Sequence, residues 1–159
     1  MDDKQCRQQR TRKAVGTKPD DLPRHLEFIQ SVVERHARTS FVLKGWSVTL
    51  VAAVFLLAVR GGEPTFAMAA GLLPALTFWA LDAYYLRQER MYRALYDHVR
   101  KVEPDANDRF NLDARPFRSA VPNWLRTLGA TPVFWFHAAV LAVVIVALAF
   151  FSLRPTDAP

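Results

Sequence analysis

The sequence predicts an all-α membrane protein with three transmembrane helices, the first two extended into the cytoplasm as an antiparallel helical stalk. Three apolar stretches carry this prediction: residues 41–60, 65–86 and 132–154. Each has the length that roughly 30 Å of hydrocarbon requires. The third contains a run, 138–148, without one polar side chain. A soluble domain of 159 residues does not need helices that are apolar on every face.

The distribution of Lys and Arg predicts the orientation. Nine basic residues precede the first stretch and nine lie between the second and third, whereas the turn 60–64 contains Arg60 alone and the tail after 153 contains Arg154 alone. Basic residues accumulate on the cytoplasmic side of short loops. We therefore expect a multi-pass membrane protein with a cytoplasmic N-terminus and an external C-terminus. Anionic lipids are expected partners of so basic a chain, whose pI is near 9.9.

A long helical hairpin is predicted over residues 21–104. Residues 1–20 are polar, basic and aperiodic, which indicates a disordered tail. Asp21 is a suitable N-cap and Pro23 suits a first turn. Side chains at alternating spacings of four and three then form a coiled-coil-like seam, namely Leu22, Leu26, Ile29, Val33, His36 and Ser40.

The second helix of the hairpin is expected to begin near residue 64, to kink at Pro74 and to end at Pro104. Two helices of about 36 to 40 residues would each extend about 55 to 60 Å, nearly twice the hydrocarbon thickness. The excess length predicts the cytoplasmic stalk.

Residues 105–131 are predicted to form a cytoplasmic loop that returns to the membrane through a short interfacial helix. That helix covers residues 123–128, with Gly129 as its stop, and Thr131 and Pro132 follow as the N-cap and first residue of the third span. Residues 155–159 form a short tail.

Lys44 and Asp82 are the ionisable residues nearest to the bilayer interior. An antiparallel hairpin that turns near Gly62 pairs positions whose numbers sum to about 126, so these two side chains should lie at one depth. A charge within a membrane segment normally faces a partner or a wet cavity. The pair is either a gate at a pore mouth or a lock on helix register at the headgroup boundary, where Lys can snorkel.

A set of cytoplasmic arginines is a candidate site for an anionic ligand. Basic grooves with aromatic platforms hold single-stranded nucleic acids without sequence readout. The competing interpretation is a positive-inside surface that touches lipid phosphates. The candidate ligand-binding residues are Lys44, Arg87, Arg90, Arg93, Arg115 and Arg118, and the candidate stacking residues are Tyr84, Tyr85 and Tyr92.

Signals for catalysis, metal binding and cofactors are absent from the sequence. It contains no CxxC, HExxH or GxSxG motif and no Gly-rich phosphate loop, so we do not expect an enzyme. His25 and His36 lack a carboxylate or Cys at metal-ligand spacing.

His137 is either proton-sensitive or a hydrogen-bonded histidine of the membrane interface. The four Trp residues are explained by an aromatic belt.

Two segments resemble a family. Phe41-Val42-Leu43-Lys44-Gly45-Trp46 and the stretch from Trp79 to Arg90 resemble small bacterial inner-membrane effectors of anti-phage defence, the HalB-like proteins of Hailong-type systems. The likeness covers most of residues 22–153. It implies an oligomeric channel that is kept closed by a single-stranded oligonucleotide, made by a partner nucleotidyltransferase. Loss of the ligand would open the channel and depolarise the cell.

The function expected from sequence is therefore an oligomeric pore-forming effector, for which a tetramer is one candidate stoichiometry. Three spans with so little polar character cannot line an aqueous path alone, so a pore needs several copies. The rival is a non-conducting structural or accessory subunit of a larger membrane complex. A secondary transporter is disfavoured because the chain is short and has no internal repeat.

Overall fold

Helices make up the regular structure of this chain, and no strand is present in the residues described by the computed structural model, which are 21–60, 66, 69–102 and 110–153. The helices are α1 (Asp21–Arg60), α2 (Leu72–Lys101), α3 (Trp124–Leu128) and α4 (Thr131–Ser152), with a 3-10 helix at Arg115–Ser119 between α2 and α3. The predicted disordered tail 1–20, the turn at Gly62 and the C-terminal tail 155–159 lie outside the described residues.

Helix α1 is a single helix of 40 residues. The seam predicted for its first half faces α2. Ile29 is fully buried in a cluster with Met91, Leu95 and Val99, and Leu22 packs on the edge of that cluster. A second cluster near the other end of α1 joins it to the start of α2 and to α4 through Val51, Ala75 and Val144. Early residues of α1 thus meet late residues of α2, and late residues meet early ones.

Helix α2 begins later than predicted. Residues 69 and 70 are helical, Gly71 is a turn, and α2 starts at Leu72. Pro74 explains the interruption, since it has no N–H to donate to the carbonyl of Ala70 and its ring crowds that carbonyl. It therefore lies in a first turn, where proline is tolerated, and the predicted kink is replaced by a helix start. At the other end α2 stops at Lys101, where the Val102 N–H donates to the His98 carbonyl at 2.9 Å.

The returning segment contains the short helix α3 near its predicted position. The Asn123 side chain caps it by accepting from the Arg126 N–H at 2.9 Å, and Gly129 follows its end. The 3-10 helix before it was not predicted. Helix α4 then begins at Thr131, with Ala130 as its N-cap, so the predicted N-cap was one residue too late.

Two of these helices are long and apolar enough to cross a membrane: Asp21–Ala58 within α1, whose most apolar 18-residue window has a mean hydropathy of 2.0, and Thr131–Ser152, whose window has 2.6. Only 17% of the most apolar window of each is buried. This differs from the core helix of a soluble protein, whose apolar surface is mostly covered. The middle predicted span, 65–86, does not form one continuous apolar helix in the described residues.

Candidate functional site

Asp82 is the centre of a polar cluster that joins three helices. Its side chain, on α2, is 0% exposed. From α1, the Ser40 hydroxyl donates a hydrogen bond to Oδ1 and the Lys44 ammonium lies 2.5 Å from Oδ2. From α4, Nε2 of His137 lies 3.1 Å from the same Oδ2. We call Ser40, Lys44, Asp82 and His137 the Asp82 cluster.

Helical spacing on α1 accounts for the two partners from that helix. Ser40 and Lys44 are four residues apart and so lie on one face, one turn apart. The Lys44 ammonium also donates to the Ser40 hydroxyl oxygen at 3.0 Å. Lys44 and Asp82, which the hairpin register predicted to lie at one depth, therefore form an ion pair that the serine extends.

Helix α4 is held against α2 by the indole groups of two tryptophans. Trp79 Nε1 donates to the Leu128 carbonyl, and Trp124 Nε1 donates to the Ala80 carbonyl, both at 3.1 Å. These bonds fix the end of α3 beside α2, just before α4 begins. His137, two turns into α4, is thereby brought to Asp82. The other two tryptophans, Trp46 and Trp135, are exposed.

The Asp82 cluster contains a buried polar atom that has no hydrogen-bond partner in the described part of the chain. The Asp82 carboxylate and the Lys44 ammonium have opposite charges. Because Nε2 of His137 faces this carboxylate, we assign a proton to Nε2. Within the described part of the chain, Nδ1 of His137 and the hydroxyl of buried Ser47 have no hydrogen-bond partner. Such atoms in a low-dielectric site are costly to leave unpaired. Nδ1 of His137 therefore gives the cluster unsatisfied polar capacity, whereas Ser47 lies outside it.

The structure gives the candidate arginines different surroundings. Arg87 Nε donates to the Pro122 carbonyl at 3.1 Å and its Nη2 to the Arg118 carbonyl at 3.4 Å, so this side chain ties the returning segment to α2. Arg93 lies 2.5 Å from Glu89, four residues before it on α2. These two guanidinium groups are occupied by acceptors of the chain itself.

Arg115 is likewise occupied. Its guanidinium makes a bidentate contact with the Asp113 carboxylate, at 2.9 to 3.1 Å. The side-chain hydrogen bonds of this pair lower the pKa of Asp113 and raise that of Arg115. Among the described residues, no acceptor contacts the guanidinium of Arg90 or of Arg118. Arg87 is one turn from Arg90 on α2 and donates to the main-chain carbonyl of Arg118, so the backbones of these three cationic residues lie near one another.

The candidate stacking tyrosines are mostly used within the hairpin. Tyr85 and Tyr92 both contact the His36 ring, with centroids 5.8 and 5.4 Å away, whereas Tyr84 is 47% exposed. Burial, followed by the charge of Arg35, lowers the pKa of His36 below 6.5, against a smaller opposing effect of Glu89. Of the three tyrosines, Tyr84 is the most exposed, and its ring makes an edge contact with that of Tyr85.

Sequence reasoning missed two members of the cluster. Ser40 was placed on the seam without a role, and His137 was not connected to Asp82. A usable signal existed for the histidine, since it is the only ionisable residue within 132–153, and such a residue usually faces a polar partner in a neighbouring helix. No group of three His, Cys, Asp or Glu side chains with the geometry of a metal site occurs in the described residues.

Fold and site together define an all-helical chain with two helices suited to crossing a membrane and one buried ionic cluster that connects them through α2. No known protein family, curated protein or solved structure matches this chain.

Proposed function

We propose that this protein is a three-span protein of the bacterial inner membrane that self-associates into a pore-forming effector, with the Asp82 cluster as the contact that keeps its helices together in the closed state. The observation that carries the proposal is the complete burial of the Asp82 carboxylate between partners from α1 and α4. Ionisable residues inside membrane segments are costly and mark functional positions more often than not.

Exposed apolar side chains support insertion into a membrane. Leu57 and Val146, on α1 and α4, are 68% and 67% exposed, as are many neighbours. Contiguous apolar surface of this extent is rare on soluble monomers, and lipid would cover it. In this arrangement residues 65–86 supply the middle span. Residues 21–40 and 87–101 pack together as the cytoplasmic stalk, through the cluster around Ile29.

The cluster gives a physical reason for a closed state. Each of the three helices contributes to one set of hydrogen bonds around Asp82, so a rearrangement that separates them exposes an uncompensated charge. Such a cost holds the helices together until something of comparable free energy opposes it. Release of a cytoplasmic anionic ligand, as the resemblance to Hailong-type effectors implies, would be the trigger.

Flux through the reconstituted protein tests the proposal. We expect purified full-length protein in liposomes to dissipate a potassium gradient after nuclease treatment and to conduct less before it. Chemical cross-linking in the same liposomes should give discrete oligomers. A monomer that passes no ions under either condition would contradict the pore.

A non-conducting accessory subunit is the second candidate, and one observation favours it. Arg87, Arg93 and Arg115 are each engaged by acceptors of the chain itself, as expected for residues that only fix a cytoplasmic loop to a helix. Such a subunit would co-purify with a larger membrane protein and would be monomeric when released from it.

Topology is testable by cysteine labelling in intact cells. With Cys6 replaced by serine, single cysteines at positions 62 and 158 should react with an impermeant thiol reagent, because the Lys and Arg bias places them outside. A cysteine at position 107 should react only after the membrane is permeabilised. Labelling at 107 in intact cells would reverse the proposed orientation.

A further inference from the structure

An apolar groove between α1 and α4 runs from Lys44 along the proposed membrane depth. It has a volume of about 310 Å³ and is lined by Val48, Val51 and Phe55 from α1 and by Ala139, Val140 and Val143 from α4. A second apolar concavity, lined by α4 alone, shares Val143 and reaches Phe150 and Phe151 near the end of that helix. None of these lining residues has a polar side chain.

Lys44 lies at one end of this groove. It precedes Val48, Val51 and Phe55 at spacings of four, three and four, so all four side chains lie on one face of α1. Its ammonium is 5.9 Å from the ring of Phe136, which stands one turn before Val140 on α4. The groove is therefore apolar along its length and has the Lys44 ammonium, paired with Asp82, at its proposed cytoplasmic end.

The Lys44 ammonium retains one donor for an outside partner. Of its three N–H bonds, one is directed to Asp82 and one to Ser40. The side chain keeps 21% of its surface exposed. A third acceptor can thus approach from the lipid side without breaking the cluster.

A second copy of this chain cannot supply that acceptor as an anion. Asp82 is the only Asp or Glu in residues 41–60, 65–86 and 132–154, and it is buried inside its own chain. Phospholipid phosphates, in contrast, lie at the headgroup boundary, with an acyl chain attached that matches the groove. A Lys near the membrane surface contributes attraction to anionic lipids.

We infer that the groove between α1 and α4 is a binding site for an anionic phospholipid, with the phosphate on Lys44 and one acyl chain between Val48, Phe55 and Val140. The inference rests on the proposed insertion of α1 and α4 into the membrane. Because the acyl chain would pack against both α1 and α4, occupancy by lipid stabilises the contact between these two helices.

Native mass spectrometry of the full-length protein in mild detergent tests this site. Phosphatidylglycerol and phosphatidylcholine with identical acyl chains are added separately, and retained lipid adducts are compared. We expect about fivefold stronger retention of phosphatidylglycerol, the effect of one basic residue. Ala139→Phe fills the groove without touching the Asp82 cluster and should abolish the adducts. Ile145→Phe, an equally bulky change on an exposed part of α4, should leave them.

Lys44→Met should remove the preference between the two lipids. If Lys44→Met is unstable, Ala139→Phe still tests the site. Glycerol phosphate, which has no acyl chain, should give no adduct. Equal retention of both lipids by the unmodified protein, or unchanged adducts in Ala139→Phe, would overturn the site. Loss of oligomers without loss of lipid in Ala139→Phe would also overturn the site, since the groove would then be an interface between copies. Carbonate extraction of membranes measures insertion separately. Failure of the protein to insert is therefore distinguishable from failure to bind lipid.

Discussion

Replacing Asp82 with asparagine is expected to destabilise the protein by about 3 kcal/mol, the lower part of the range for breaking a buried ion pair. Asparagine keeps the shape and accepts one hydrogen bond, but the Lys44 ammonium loses its counter-charge inside a low-dielectric site. The lower part of the range applies because Lys44 is 21% exposed and can reach toward the headgroups. The midpoint of thermal unfolding in mild detergent measures the loss.

Asp97→Asn is the matched control. It makes the same chemical change on the same helix, at an exposed aspartate whose partner Arg100 lies 3.5 Å away and is equally exposed. Surface pairs of this kind contribute between zero and about 1 kcal/mol, so little effect is expected. A loss at Asp97 equal to that at Asp82 would mean that burial in the cluster has no energetic importance.

A double-mutant cycle tests the coupling directly. Lys44→Gln and Asp82→Asn should be strongly non-additive, with an interaction free energy above about 1 kcal/mol, because each leaves the other's partner unpaired. The charge swap Lys44→Asp with Asp82→Lys should restore stability only in part. A lysine at position 82 cannot accept from Nε2 of His137, which bonds the native carboxylate at 3.1 Å. Strictly additive effects would show that the two charges do not act as a pair.

That Lys44 and Asp82 lie at one depth could be predicted from sequence, because it depends only on the position of the hairpin turn. The contact between His137 and Asp82 could not be predicted in this way. The apolar side chains of α4 surround the helix, so they do not specify which face packs against α2. That face is set by the Trp79 and Trp124 hydrogen bonds to the Leu128 and Ala80 carbonyls, which are long-range contacts without a periodic signal.

The helix boundaries show the same difference between local signals and long-range contacts. Caps and apolar periodicity specified α1 and α3 to within about a residue, since both are local signals. The interruption at Gly71 was predicted as a kink within one helix, because a proline pattern does not distinguish a bent helix from a new first turn. Likewise, the hydrogen bonds of Arg87 depend on where the returning segment, which has no apolar periodicity, passes α2. Its acceptors are main-chain carbonyls at Arg118 and Pro122, which no side-chain pattern reveals.

Binding of a single-stranded polyanion is expected to depend on Arg90 and Arg118 and to be insensitive to Arg115. The first two have guanidinium groups without an acceptor in the described residues, on the surface where Arg87 joins the returning segment to α2. Arg115 is already held by Asp113 in a bidentate contact. A labelled oligoadenylate is titrated against purified protein at several salt concentrations, with fluorescence anisotropy as the readout.

Counterion release makes the salt dependence diagnostic. Each phosphate contact to a single strand contributes roughly 0.7 to the slope of log affinity against log salt. Arg90→Gln and Arg118→Gln should each lower the slope by about that amount and weaken binding at low salt. Arg115→Gln removes the same formal charge from the same 3-10 helix as Arg118, so it controls for net charge. Equal effects of all three would indicate a diffuse basic surface with no defined site.

The same variants connect binding to the proposed pore. If the ligand holds the channel closed, the double variant Arg90→Gln with Arg118→Gln should depolarise cells on induction without any trigger, while Arg115→Gln should be tolerated. A potential-sensitive dye reports the depolarisation. Protein that binds no oligonucleotide at low salt, together with harmless variants, would leave these arginines as positive-inside contacts to lipid. The accessory subunit would then be the better account, because the Asp82 cluster would hold three helices together with no ligand to release them.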